Sequence, residues 1–379
     1  MFFKVNNFRT SLLPVLLLTV AVLSVSCSSS VVEYEPYPVY PARHDPIVVS
    51  NPSSIPNSPA PGGQLDVWLA DHAKIGGLVV APNRLTETQR RDLSAALDAI
   101  FGTPPNPTFD SPHAESLGLT AEALAHGSRL YRRHCANCHG LTGDGRGPAG
   151  LFVFPHARDL RQGLMKFGST ADGTPTRGDL TRVIKLGVPG TSMPPFGLAD
   201  VATIEQLVTA TIHLSIRGNV ERNTMMAILS DDPPGDIAGE VRAQFDRIVS
   251  RWVSAKAAPL PAKIPELTDE HIRRGHELFS SAKTGCVSCH GDYGRMTTYR
   301  YDAWGTAAKV ADLTDRQFRG GGEPAELFRR IRLGIPTVGM PAQGTLSDDE
   351  VWDLVAFVSA LPRPMNLPAD VRGKVYPNR

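Results

Sequence analysis

The feature that most constrains this chain is a five-residue motif that occurs twice: Cys135-Ala136-Asn137-Cys138-His139 and Cys286-Val287-Ser288-Cys289-His290. Cys-x-x-Cys-His is the attachment sequence for c-type haem. The spacing has a mechanical reason. One helical turn between the thiols lets both form thioethers to a single porphyrin, and the adjacent histidine then falls under the iron. A redox dithiol does not need the trailing histidine, and a zinc site needs further Cys or His at ligand spacing. The motifs take four of the five cysteines, so a disulfide framework is not expected. At 379 residues the chain is long enough for two or three folded units around two such cofactors. Its 39 Lys and Arg against 38 Asp and Glu show neither the basic excess of a nucleic-acid binder nor the imbalance of a disordered chain. High Gly and Pro content predicts much ordered loop wrapped around something.

Whether a second axial ligand completes each iron is the sharper question, and an internal alignment supplies candidates. Residues 180–197, LTRVIKLGVPGTSMPPFG, match residues 327–344, LFRRIRLGIPTVGMPAQG, without a gap, including Gly187/Gly334, Met193/Met340 and Pro194/Pro341. A duplicated domain explains this. In each copy an amphipathic helix is expected to end at a glycine and pass into a Pro-flanked loop carrying the methionine. Thioether sulfur is a soft ligand, and a stiff loop can hold it over iron. His139 with Met193 and His290 with Met340 are therefore the expected iron ligands. Met165, Met225, Met226 and Met296 read as core filler. His113, His126, His134, His156, His213, His271 and His276 do not recur between the copies and read as surface or hydrogen-bonded side chains.

With both motifs in this order, residues 120–216 and 268–361 each resemble a class I cytochrome c domain. The resemblance implies an all-α fold of two tandem helical domains with long ordered loops, each crossing its first and last helix where a small residue meets an aromatic one. Gly127 with Tyr131, and Gly275 with Phe279, share a face of the first helices. The last helices are expected over Asp200 to Ile216 and from the capping box Ser347-x-x-Glu350 onward. The resemblance also gives Pro148 as the residue whose carbonyl accepts the Nδ1 hydrogen of His139. The second copy has no matching proline, so His290 is expected to be held differently.

At the amino end, Lys4 and Arg9 precede an apolar run from Leu12 to Val25 that reads as an export signal. Small residues before Cys27 resemble a lipoprotein cleavage site, with Ser24 departing from the pattern; ordinary signal cleavage and an unmodified Cys27 are the alternatives. Eight prolines between Pro36 and Pro61 predict a semi-rigid spacer. The expected division is residues 1–26 signal peptide, 27–63 lipid anchor and tether, 64–106 accessory helical segment, 107–222 first cytochrome domain, 223–264 bridging helix and linker, and 265–379 second cytochrome domain. The accessory helix is expected over Thr86 to Phe101 and the bridging helix over residues 236–256. Arg316, Arg319, Arg329, Arg330 and Arg332 read as a solvated helix face.

The expected function is electron transfer by a lipid-anchored periplasmic protein with two covalently bound haem c groups. It would pass single electrons from a quinol-oxidising complex or a dehydrogenase to a terminal oxidase, with no catalytic residues. The alternative is a dihaem enzyme such as a cytochrome c peroxidase or a thiosulfate-oxidising cytochrome, which needs an open or unusual position at one iron.

Overall fold

Two glycines set the helix crossings on which the molecule is built. The computed structural model describes residues 39–48, 79–296 and 298–377. Five longer helices form the first half: α1 (Glu87–Phe101), α2 (Ala121–His134), α4 (Arg177–Leu186), α5 (Val201–Ile228) and α6 (Ile237–Ser254), with the short α3 (Ala136–His139) inside the first motif. The second half has α7 (Asp269–Ser280), α8 (Pro324–Leu333), α9 (Asp348–Ala360) and α10 (Ala369–Val375). At Gly127 of α2 a Cβ would overlap the Gln206 carbonyl of α5, and at Gly275 of α7 it would overlap the Asp353 carbonyl of α9 and lie 2.8 Å from the Phe357 Cβ. Glycine lets the backbones touch there, as the resemblance implied. Capping boxes start α1 (Thr86 with Gln89) and α9 (Ser347 with Glu350). Strand structure is slight: Ile47–Val48 pairs antiparallel with Val79–Val80, and Tyr299–Tyr301 with Ala307–Lys309.

The first core departs from expectation at three places. The helix expected to end at Ile216 continues to Ile228, so a boundary at 222/223 would cut α5. The helix read as a bridge instead packs into the first half. Val241, Phe245, Ile248, Val249 and Trp252 of α6 are buried in one cluster with Leu97 and Phe101 of α1 and Ile212 and Ile216 of α5. Phe245 meets the Phe101 ring edge-on at 5.4 Å. Burial of one such aromatic contributes roughly 1.5–3 kcal/mol, so α1 and α6 are an integral part of the first unit.

The third departure concerns the spacer. Tyr40, Arg43, Asp45 and Ile47 are all buried. Tyr40 packs with Tyr131, Ala210 and Leu214, and Arg217 stacks over its ring at 4.2 Å. Arg161 holds Asp45 through two hydrogen bonds of 2.8 Å. Residues 39–48 are thus a strap fastened into the first core. Proline density reports a preference for extended backbone, which a docked strap satisfies as well as a free tether does. The expected signal, Cys27 and residues 49–63 lie outside the described residues. Among the described residues no helix is long and apolar enough to cross a membrane.

Candidate cofactor sites

Each motif closes one tight turn. The amide of His139 donates to the Cys135 carbonyl at 2.8 Å, and that of His290 to the Cys286 carbonyl at 2.9 Å. The four motif cysteines are unpaired and partly buried. Burial, with Cys138 alongside, pushes the Cys135 thiol up to about 12, and burial also raises Cys286. A redox dithiol depends on the opposite shift. Among the described residues no group of three or more His, Cys, Asp or Glu side chains is placed to hold a metal, so neither dithiol has partners for a zinc site.

The histidines are oriented alike. Nδ1 of His139 lies 3.0 Å from the Arg158 carbonyl, and Nδ1 of His290 lies 3.2 Å from the Ala311 carbonyl. With the ring hydrogen donated there, Nε2 is the nitrogen left for a metal. Burial pushes both imidazoles toward the neutral form that ligates. Two expectations are corrected here. Pro148 is exposed, and its loop is engaged elsewhere: Gly147 and Ala149 donate to the carbonyls of Cys138 and Asn137, capping the motif turn. The imidazole instead meets the chain where it returns at Arg158. Both copies also use the same device, a backbone carbonyl about twenty residues onward, although only the first has the proline. In each copy that returning segment lies against a glycine. A Cβ on Gly145 would overlap the Ala157 carbonyl, and one on Gly294 the Ala311 carbonyl.

The methionine loops share two backbone bonds and differ at the methionine amide, which donates to the Thr191 hydroxyl in the first copy and to the Ile335 carbonyl in the second. Val188 donates to the Met193 carbonyl at 3.2 Å and Ile335 to the Met340 carbonyl at 2.9 Å; Phe196 donates to Ile184 and Gln343 to Ile331, both at 3.1 Å. One continuous cleft of about 610 Å³ is lined by Cys135, Cys138, His139 and Met193 together with Cys286, Cys289, His290 and Met340. Its lining is mainly apolar, with Leu180, Val183, Ile184, Phe279 and Leu327 among the walls. Two thiols, one oriented imidazole and one loop thioether per unit line an apolar cleft, a donor set that suits a covalently attached haem.

Other candidates fall away from this set. His213 is buried against Phe101 and Phe109, and its Nε2 lies 2.9 Å from the Thr108 carbonyl. Burial lowers its pKa to about 4. His134 and His156 reach the cleft, but the first packs against Phe196 and the second bonds the Gly150 carbonyl at 3.3 Å. Met225 is core, whereas Met296 is 63% exposed and fills nothing. Of the arginines, Arg330 is buried rather than solvated, bonded to the Gly320 carbonyl and paired with Glu326 at 3.3 Å. Arg158 and Ala311 were invisible to motif reading because each acts through its carbonyl. A glycine shortly after each motif was the one available signal.

A family model described as cytochrome C oxidase, cbb3-type, subunit III matches residues 122–209 and again residues 270–358. No curated protein matches the chain. Among solved structures, a chain of the Kuenenia stuttgartiensis reducing HAO-like protein complex is 24% identical, with a TM-score of 0.49, over 62% of this chain and 95% of that one. The two stretches matched by the family model are those that carry the motif turns, the methionine loops and the glycine crossings. Two tandem regions of the chain, together just under half of it, are therefore cytochrome c domains, the kind of domain that carries an electron-transfer haem.

Proposed function

We propose that the protein holds two haem c groups and passes single electrons between redox protein partners, performing no bond-making chemistry of its own. The observation that carries this reading is the repeated ligand set along one continuous cleft. Cys135 and Cys138 would attach one porphyrin, with His139 and Met193 as axial ligands; Cys286, Cys289, His290 and Met340 would do the same for the other. The first haem unit takes in residues 39–48 and 79–254, and the second residues 265–377. When bound, each haem supplies a one-electron Fe(III)/Fe(II) couple, and His/Met ligation raises its potential. The chain's own residues do the rest. The Arg158 and Ala311 carbonyls fix the imidazole planes, and the two Pro-flanked loops hold the thioethers in place.

Cytochrome c domains typically work outside the cytoplasm, and the export signal expected at residues 1–26 would carry the chain there. Lipid modification of Cys27 would anchor the protein at the periplasmic face of a membrane, where confinement raises the effective concentration of a quinol-oxidising complex, dehydrogenase or terminal oxidase. The test is spectroscopic. The purified protein is expected to show only low-spin haem in both oxidation states and no binding of carbon monoxide or cyanide at neutral pH. A high-spin component, or uptake of one equivalent of carbon monoxide, would mark an open iron and favour a dihaem enzyme.

A further inference from the structure

Three consecutive residues of the second unit grip the loop segment that orients the first unit's histidine. The Asp302 carboxylate lies 3.3 Å from Arg158 and 3.6 Å from Lys166; the Ala303 carbonyl accepts from Gln162 Nε2 at 3.0 Å; and Trp304 Nε1 donates to the Asp159 carbonyl at 2.8 Å. The Arg158 guanidinium stacks on the Trp304 ring, 3.8 Å from its centre. Asp302 and Trp304 are both buried. The turn is itself rigid: Asp302 Oδ1 accepts from the Trp304 and Thr306 amides and the Thr306 hydroxyl, which leaves Oδ2 for Arg158 and Lys166. The clamped residue is the one whose carbonyl accepts from His139. Ala311, the acceptor for His290, has no long side chain that could be gripped in this way.

We propose that Asp302 and Trp304 are positioning residues for the first haem centre: through Arg158 they fix the bond on His139, so that docking of the second unit sets the first centre's potential. This rests on the His139 ligation proposed above. A well-held carbonyl increases the donor strength of the imidazole and stabilises oxidised iron; a loosened one raises the potential. The second centre is not coupled to docking in this way.

The test is a spectrally followed redox titration of the holoprotein. Trp304→Ala changes no charge, and Arg158→Lys keeps the charge while losing the flat stack. Each is expected to shift the first centre's equilibrium by about tenfold toward the reduced state, about 59 mV for one electron. The double variant is expected to shift it no further, because both changes break one clamp. Arg182→Ala is the control. It removes a contact between the units, to the Gly320 carbonyl and Glu326, that does not touch Arg158. It is expected to leave both potentials in place. Should Trp304→Ala fail to fold, Trp304→Phe removes only the bond to Asp159 and is expected to shift the same centre in the same direction. A Met340→His background displaces the second wave and so assigns the first. The proposal is overturned if the foldable Trp304 variant and Arg158→Lys both leave the two waves in place, or if Arg182→Ala moves the first wave equally. Two unmoved waves in Met340→His alone would instead contradict the ligation, and the Trp304 and Arg158 shifts would still be read against wild type.

Discussion

Replacing Asp45 by alanine is expected to unfasten the strap and destabilise the first unit by about 3–5 kcal/mol. The magnitude follows from what is left behind. Asp45 is 6% exposed, held by Arg161 at two contacts of 2.8 Å and by Arg43 at 3.0 Å. Arg161 keeps Asp159 at 2.8 Å, but Arg43 loses its carboxylate partner while remaining buried. For a unit of this size the loss corresponds to a fall in Tm of roughly 6–20 °C. The ion pair also has a pH signature. Burial pushes the Asp45 carboxyl up, but the hydrogen bonds and charge of Arg161 and the charge of Arg43 outweigh it and hold the group well below the ordinary carboxylate range. Because the folded value is depressed, the stabilisation is complete above about pH 4 and is lost as pH falls below that. Urea unfolding followed by fluorescence of the buried Trp252, at pH 7 and at pH 3, measures both effects. Asp45→Ala within about 0.5 kcal/mol of wild type at pH 7, or a variant with an unchanged acid profile, would show that the strap is not fastened as described.

Three further outcomes are expected. Met193→Ala and Met340→Ala should each open one iron, read as uptake of one equivalent of carbon monoxide where wild type takes none; no uptake by either would refute the loop ligands. Gly275→Val should drive a side chain into the Asp353 carbonyl and Phe357, costing at least about 1–3 kcal/mol, measured by thermal unfolding of the second unit. Burial holds the folded pKa of His213 at about 4, below its unfolded value, so its contribution is complete above about pH 6.5 and falls as pH drops toward 4, by roughly 3 kcal/mol in all. His213→Gln should flatten that slope between pH 7 and pH 4.

What could be read from the chain was local or repeated. The Cys-x-x-Cys-His turns, the capping boxes at Thr86 and Ser347, and the Met193 and Met340 loops depend on residues a few positions apart, and the duplication let one copy check the other. Gly127 and Gly275 were legible because a helix crossing leaves its small residue at a fixed spacing. The strap was not, since Asp45 meets Arg161 across 116 positions and nothing near either residue announces the other. The same holds for Trp304 and Asp159, 145 positions apart. The Pro148 expectation went wrong for a related reason. It chose a particular residue's carbonyl, but any residue type offers that acceptor, so residue identity could not tell which carbonyl the chain brings to His139. Helix α6 was placed correctly in sequence and wrongly in space, because an amphipathic stripe tells that a face is buried but not against what.

Each of the two motifs is expected to hold its own haem covalently. Intact mass spectrometry of the holoprotein tests this most directly, alongside Cys135→Ala/Cys138→Ala and Cys286→Ala/Cys289→Ala variants. Wild type is expected to carry the mass of two haems under denaturing conditions, and each double variant that of one. A wild-type mass with one haem or none, or a double variant that still retains both, would contradict the account.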